Sequence, residues 1–577
     1  MKQFKISTIS GHKIFTIVLC LLAVFIVSQV FQSPAWASSG RHERQLLKAA
    51  QPGSHAKHVN RITPQIPKAN RFQKNKVFLE NSDILSADEN VSRDYQVLKG
   101  NVKFRRGNMF MYCDSAYFYD KTSSLDAFGH VHMTQGDTLN VYADIMHYFG
   151  EDEVAQLRYN VRMENRNMTL LTDSLDYEVR SNVGYYFNHG TIVDSKNNTE
   201  LSSQFGRYEL DTKKAEFSTD VKLINDKYEM NTNLLDYNTA THVATIVDET
   251  VIVSDSSTIH TSSGWYNTVS DDASLFNRSQ IDAKDGKTLV GDTVHYNRVN
   301  GNGEAYGNVI LNDPKHKVIL DGDYGKHNEQ THESFVTKHA RAREFSQKDT
   351  LFLHGDTLRT FIDKDSNRIL TASPQVRFFR SDVQGVCDSL SFTQRDSILN
   401  MYKHAVVWSD ARQISGEEIN VHIKDSTADW ATLPNYGFMA EHLGDEYFNQ
   451  LSGKKMKAYF VNKELRQLDV NGNVLVLIYP MEKDSTYNKV VNSESSFLKV
   501  LLKPKQEVEK ISMWPDVSGK VTPLFVAKRS DLYLAGFNWY EGIRPKTPND
   551  IFDISAEMKK MLSTPETKHH RRTVSSK

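Results

Sequence analysis

Seven aspartates, Asp114, Asp144, Asp173, Asp292, Asp323, Asp356 and Asp388, recur at one position of a repeating phrase. Paired carboxylates can do acid–base chemistry, but a catalytic pair needs one unique local geometry. An acid that returns with the repeat points instead to a structural task performed many times, such as accepting backbone N–H bonds at strand entries and bends. The Gly-Asp-Thr triplets that begin at Gly136, Gly291 and Gly355 belong to the same turn chemistry and lack the dense Gly/Asp nonapeptide of calcium-binding β-rolls. His130 and His132 stand two apart on one strand, a spacing able to hold a metal, although surface histidines are the plainer reading. The sequence holds no HExxH, no Cys–His ligand set, no Gly-x-Ser-x-Gly elbow, no P-loop and no dinucleotide fingerprint. It therefore predicts no catalytic residues, no metal and no cofactor.

The elements that carry these residues repeat. An apolar residue follows a turn-like position by two at Val102, Val131, Val161, Ile192, Val221, Val251, Ile281 and Val309, then less regularly at Val376 and Val406. A second register, Asp-x-apolar-x-aromatic, places an aromatic at Phe118, Tyr148, Tyr177, Tyr208, Tyr237, Tyr266 and Tyr296, with steps of 29 to 31 residues. Each unit reads as two strands, because apolar and polar residues alternate with period two. Turn signals such as Arg106-Gly107-Asn108 and Gln135-Gly136-Asp137 separate them. Short turns favour antiparallel pairing, since parallel neighbours need long crossovers.

The expected fold is all-β: an elongated antiparallel jelly-roll trough of some eleven units and roughly twenty strands, with two apolar faces that must meet or curl to be hidden. On first strands the inward residues are Val102 with Phe104, Val131 with Met133, and Val161 with Met163. Further along they are Val221 with Leu223 and Val309 with Leu311. Val253, Phe378 and Trp408 follow by the same spacing. On second strands Phe118, Met146 with Tyr148, Tyr177, Tyr237, and Val294 with Tyr296 share that face. Whether this interior is solid core or an open trough holding acyl chains is not decided by the pattern.

The remainder bounds the setting. A net charge of −1 gives no reason to expect nucleic acid. Lys2, Lys5 and Lys13, the uncharged run from Ile14 to Val27, and Ala35-Trp36-Ala37 predict a cleaved export signal over 1–37. Residues 38–79 read as a basic linker, with nine Lys and Arg against Glu43 over 38–77. Repeats are expected over 80–240 and 241–428, a divergent β segment over 429–480, an irregular region over 481–564 with a short helix around Ala556–Leu562, and a basic tail over 565–577. Cys113 and Cys387 lie nine repeats apart and are expected to be free, buried thiols.

The phrases "GNVKFRRGNMFMYCDSAYFYD", "AFGHVHMTQGDTLNVYADIMHYFG" and "FFRSDVQGVCDSLSFTQRDS" resemble the OstA-like family of lipopolysaccharide-transport proteins, most strongly over residues 80–180 and recurrently to about 425. The resemblance implies a periplasmic β-jelly-roll that binds the lipid A part of lipopolysaccharide. It also implies a bridge toward the outer membrane, built with partner proteins at both membranes. Exposed end strands add the expectation of end-to-end self-association. The chain is much longer than the smallest bridge proteins, and it lacks the long C-terminal strand series of a transmembrane barrel. Two other readings fit a repetitive exported chain: a scaffold or adhesin with a solid core, and a polysaccharide-acting β-helix enzyme.

Overall fold

The computed structural model describes residues 76–86 and 94–563, apart from 256, 285, 298, 316, 329, 346–348, 394, 425–426, 462–463, 483–485 and 505–507. The expected export signal, nearly all of the basic linker and the basic tail lie outside the described residues.

The chain is all-β. It opens with strands β1 (Phe78–Asn81), β2 (Ile84–Ser86), β3 (Gln96–Arg106), β4 (Met109–Tyr119), β5 (Ser124–Gln135), β6 (Leu139–Phe149), β7 (Val154–Asn165) and β8 (Met168–Glu178). The paired strands whose register is defined run antiparallel, and β3 to β8 each pair with the next in sequence. The described residues form 42 strand segments, about twice the expected number, because many units break in the middle. They fall into two compact units, which divide between Ser279 and Gln280.

The break is a corner. In β3 the pair Gly100-Asn101 stands opposite the single residue Asp114 of β4, and both members have positive φ, 77° and 48°. The same two-residue bulge recurs at Gly129-His130, Tyr159-Asn160, Thr219-Asp220, Gly307-Asn308, Lys403-His404 and Gly472-Asn473. A bulge bends its strand and raises its twist. Each long strand therefore contributes to two walls. Leu98 lies on one side of the corner and Val102, Phe104 and Arg106 on the other, all buried.

The walls enclose the apolar face. On the valine wall one register of the first unit runs Phe104, Met111, Met133, Val141, Met163, Leu170, in cross-strand pairs. On the tyrosine wall aromatic and small residues alternate: Tyr148, Ala155, Tyr177, Gly184, Tyr208, Ala215. A ring beside a missing side chain lets adjacent rungs stay at strand spacing without overpacking. The Phe104 and Phe118 rings, one from each wall, lie 5.3 Å apart, so the walls touch.

Residues 481–564 differ from the irregular region expected. They contain the strands Lys489–Leu502, Val508–Trp514 and Ser518–Pro523, and only from Leu524 onward do strands give way to short helical turns and the helix Ala556–Ser563. This last segment runs back over the outside of the second unit's valine wall. Leu532 accepts from Gln450 at 3.0 Å, Asn538 accepts from Gln413 at 2.8 Å, and Arg544 donates to Gln384 at 2.7 Å. Arg377 donates to the Ile551 carbonyl, and the Phe552 ring lies 4.9 Å from His354.

Candidate functional site

Every predicted inward residue lies on a strand. Val102, Phe104, Val131, Met133, Val161, Met163, Val221, Leu223, Val309 and Leu311 are buried on the valine wall. Phe118, Met146, Tyr148, Tyr177, Tyr237 and Val294 are buried on the tyrosine wall. Tyr296 keeps the ladder register, opposite Gly303, but is only half-buried. His132 and Ile310, the neighbours of Met133 and Leu311, face outward. His132 stacks on Tyr142 at 4.4 Å, and Ile310 pairs with Asp321.

Two inward pairs are corrected. Val251 and Val253 face out, and Thr250 and Ile252 occupy the inner register opposite Thr232 and Met230. Val406 and Trp408 also face out, while Ala405 is the residue that follows the corner Lys403-His404. The corner sets the register, and the nearest valine misleads by one residue, which on a strand exchanges the faces. Trp408 is nevertheless fully buried, because Ile543 and Met558 of the returning segment cover it.

Two small apolar cavities lie between the walls among the described residues. An apolar cavity of about 30 Å³ lies between Met163, Leu170, Leu175, Tyr186 and Phe217. Another of about 20 Å³ lies beside Leu289, Leu311 and Val336. Methionine is prominent on the ladder, and its unbranched, polarizable side chain repacks around irregular neighbours more readily than Leu or Val.

Away from the corners the walls are laced by polar groups that the sequence reading missed. Four residues after the repeat valines stand Arg106, Gln135, Asn165 and, in the second unit, Asp313 and Arg380; all but Gln135 are buried. Arg106 forms a 2.9 Å ion pair with Glu153. Burial pushes the Glu153 carboxyl up, but hydrogen bonds from Arg180 and Arg106 outweigh it and hold the group below its ordinary value. Gln135 donates to Asn182 at 2.9 Å and accepts from Tyr177 at 2.8 Å. Lys227 meets buried Asp271 at 2.6 Å. This edge is the mouth of the trough. Its signal was legible as a polar residue at a fixed offset inside an apolar alternation.

The recurring aspartates work at the corners. Asp114 bonds His130 at 2.7 Å, Asp144 accepts from Asn160 at 2.7 Å, Asp292 from Asn308 at 2.8 Å, and Asp323 bonds His339 at 2.8 Å. The backbone N–H of Asp292, Asp323 and Asp356 donates to the corner carbonyls of Gly307, Lys338 and Pro374. His130 is thus a corner residue, and His132 bonds Asn140 at 3.1 Å, so the pair does not converge on one point. Cys113 and Cys387 are free and buried, and burial pushes the Cys113 thiol up to about 12. Among the described residues no three His, Cys, Asp or Glu side chains gather as a metal site, and no helix is long and apolar enough to cross a membrane.

A bent antiparallel sheet folded into two walls, apolar within and laced at its mouth, defines a β-jelly-roll trough. Residues 74–233 match the family model described as OstA-like protein, and over that stretch the chain is similar to that family. No curated protein matches the chain.

Proposed function

We propose that this protein is a periplasmic carrier of lipopolysaccharide that shields lipid A acyl chains between the valine and tyrosine walls. The observation that supports this most is the uninterrupted apolar ladder from Phe104 through Met133 and Met163 to Leu223, enclosed on both sides, with polar contacts along the mouth. Each buried CH₂ is worth about 0.8 kcal/mol, so an acyl chain in the seam gains strongly over water. Similar rungs give similar affinity at each step, and a lipid moves along them without meeting a deep trap. The walls touch, so an entering chain must part them, and the methionines are the residues best suited to repack against it. In this reading the chain works with other components of a bridge between the membranes, and its terminal strands offer edges for association with them or with a second copy.

The test is co-purification. The exported chain is expected to carry lipopolysaccharide detectable by mass spectrometry, and to lose it when Met133 and Met163 are both changed to Asp. A chain that binds none would leave a scaffold or adhesin with a solid core.

A further inference from the structure

The row of contacts along the mouth of the first unit has a gap. Five residues after each ladder aromatic stands a residue with positive φ: Glu153 at 58°, Asn182 at 54°, Lys213 at 62°, His242 at 59° and Asp271 at 60°. Glu153, Asn182 and Asp271 reach the opposite wall through Arg106, Gln135 and Lys227. Lys213 and His242 make no such bond to the rim residues facing them, Asn165 and Asp194, among the described residues. A cavity of about 180 Å³ opens there instead.

Its lining is cationic. Arg166, Lys196, Lys213 and His242 surround it, and none of the three fixed cations enters an ion pair among the described residues. The single carboxylate in the lining, Asp194, is turned onto its own loop. It accepts from the Lys196 N–H at 3.0 Å and from Asn197 Nδ2 at 2.7 Å. This polar chamber shares Asn165, Met168, Tyr208 and Thr239 with the apolar cavity between Met163, Leu175 and Phe217. Charge and apolarity therefore meet across one boundary, as they do in an amphiphile with an anionic head.

We propose that the gap at Asn165–Lys213 and Asp194–His242 is a head-group site, in which Arg166, Lys196 and Lys213 hold a phosphate monoester while the attached acyl chain enters the seam past Met168. Guanidinium and ammonium groups suit phosphate oxygens, and three cations converging on one chamber add their attraction. The inference rests on the trough's binding lipid and adds where along the mouth the lipid is held and by which group. The phosphate belongs either to lipid A or to a glycerophospholipid.

The test uses the full-length chain with three probes: diphosphorylated lipid A, its dephosphorylated form, and phosphatidic acid. Reversing the charges, Arg166→Glu with Lys196→Glu and Lys213→Glu, is expected to weaken diphosphorylated lipid A about tenfold or more at low salt, while the dephosphorylated form changes less than about twofold. Arg166→Gln, on an exposed turn, gives a smaller loss in the same direction without risk to folding. Reversals at exposed Lys99 and Lys121 leave binding unchanged. A loss confined to phosphatidic acid supports the site and assigns its ligand to glycerophospholipids. Equal binding of phosphorylated and dephosphorylated lipid A, with phosphatidic acid unaffected by the reversals, overturns the head-group site while the apolar seam stands. Failure of all three probes to bind removes the seam reading as well.

Discussion

Asp292 Oδ2 accepts a 2.8 Å hydrogen bond from Nδ2 of Asn308, sixteen residues further along the chain, and so closes a corner between the two walls. Between them in the bulge stands Gly307, with φ 67°, where an added Cβ would lie 2.5 Å from that same carboxylate oxygen. Gly307→Ala is expected to destabilise the protein by about 1–3 kcal/mol through backbone strain and this collision. Adding Asp292→Ala relieves the collision with the carboxylate but not the strain. Chemical denaturation of the two single variants and the double should show part of the loss recovered in the double. Strict additivity would mean that the carboxylate does not crowd the corner.

The buried pair Arg106–Glu153 gives the mouth a pH dependence. Glu153→Gln leaves an uncompensated guanidinium at a buried site and is expected to cost about 3 kcal/mol, whereas Arg106→Met with Glu153→Leu should be near neutral. The folded carboxyl lies below its ordinary value, so its stabilisation is present above about pH 4.5 and is lost as pH falls through the folded value. Denaturation midpoints measured from pH 7 to pH 3 should fall more steeply for the native pair than for the apolar double variant.

His327 sits on the tyrosine-wall register of the second unit, fully buried, and bonds Ser334 at 2.7 Å. Burial pushes its imidazole down to about 4. Between that value and the ordinary 6.5 the unfolded chain binds the additional proton. Stability is therefore lost as pH falls through this window, by up to about 3 kcal/mol. His327→Leu should flatten that part of the stability profile, and an unchanged slope from pH 7 to pH 4 would contradict the assignment.

The ladder itself was legible because Tyr148, Tyr177, Tyr208 and Tyr237 recur at nearly constant spacing, and alternation on a strand fixes a face. What the sequence hid were features decided by contacts remote along the chain. Trp408 looks like an inner residue because it is large, apolar and two places after a valine. It is buried instead on the outer side, by Ile543 and Met558. The polar mouth was overlooked for the opposite reason. Arg106 and Asn165 look like solvent-facing strand ends, and only the second wall folding over them makes them inward.

That returning segment should be a stabilising strap. Trp408→Ala is expected to cost about 3–5 kcal/mol, as for a buried aromatic. Removing residues 524–577 should lower the melting temperature and make Trp408→Ala nearly silent, because the ring then lies exposed. A full Trp408→Ala penalty in the truncated chain would place the ring in the inner core.

The central claim, that the inner face contacts acyl chains, is tested most directly by site-specific photo-crosslinking in cells. A photoreactive residue at Met133 or Leu311 is compared with one at its neighbour, His132 or Ile310. Met133 and Leu311 are buried between the walls, whereas Ile310 is apolar and faces out beside Asp321. Lipopolysaccharide captured at Met133 and Leu311, with much less at His132 and Ile310, is the result predicted here. Equal capture on both faces, or none at either while the protein stays folded, would contradict it.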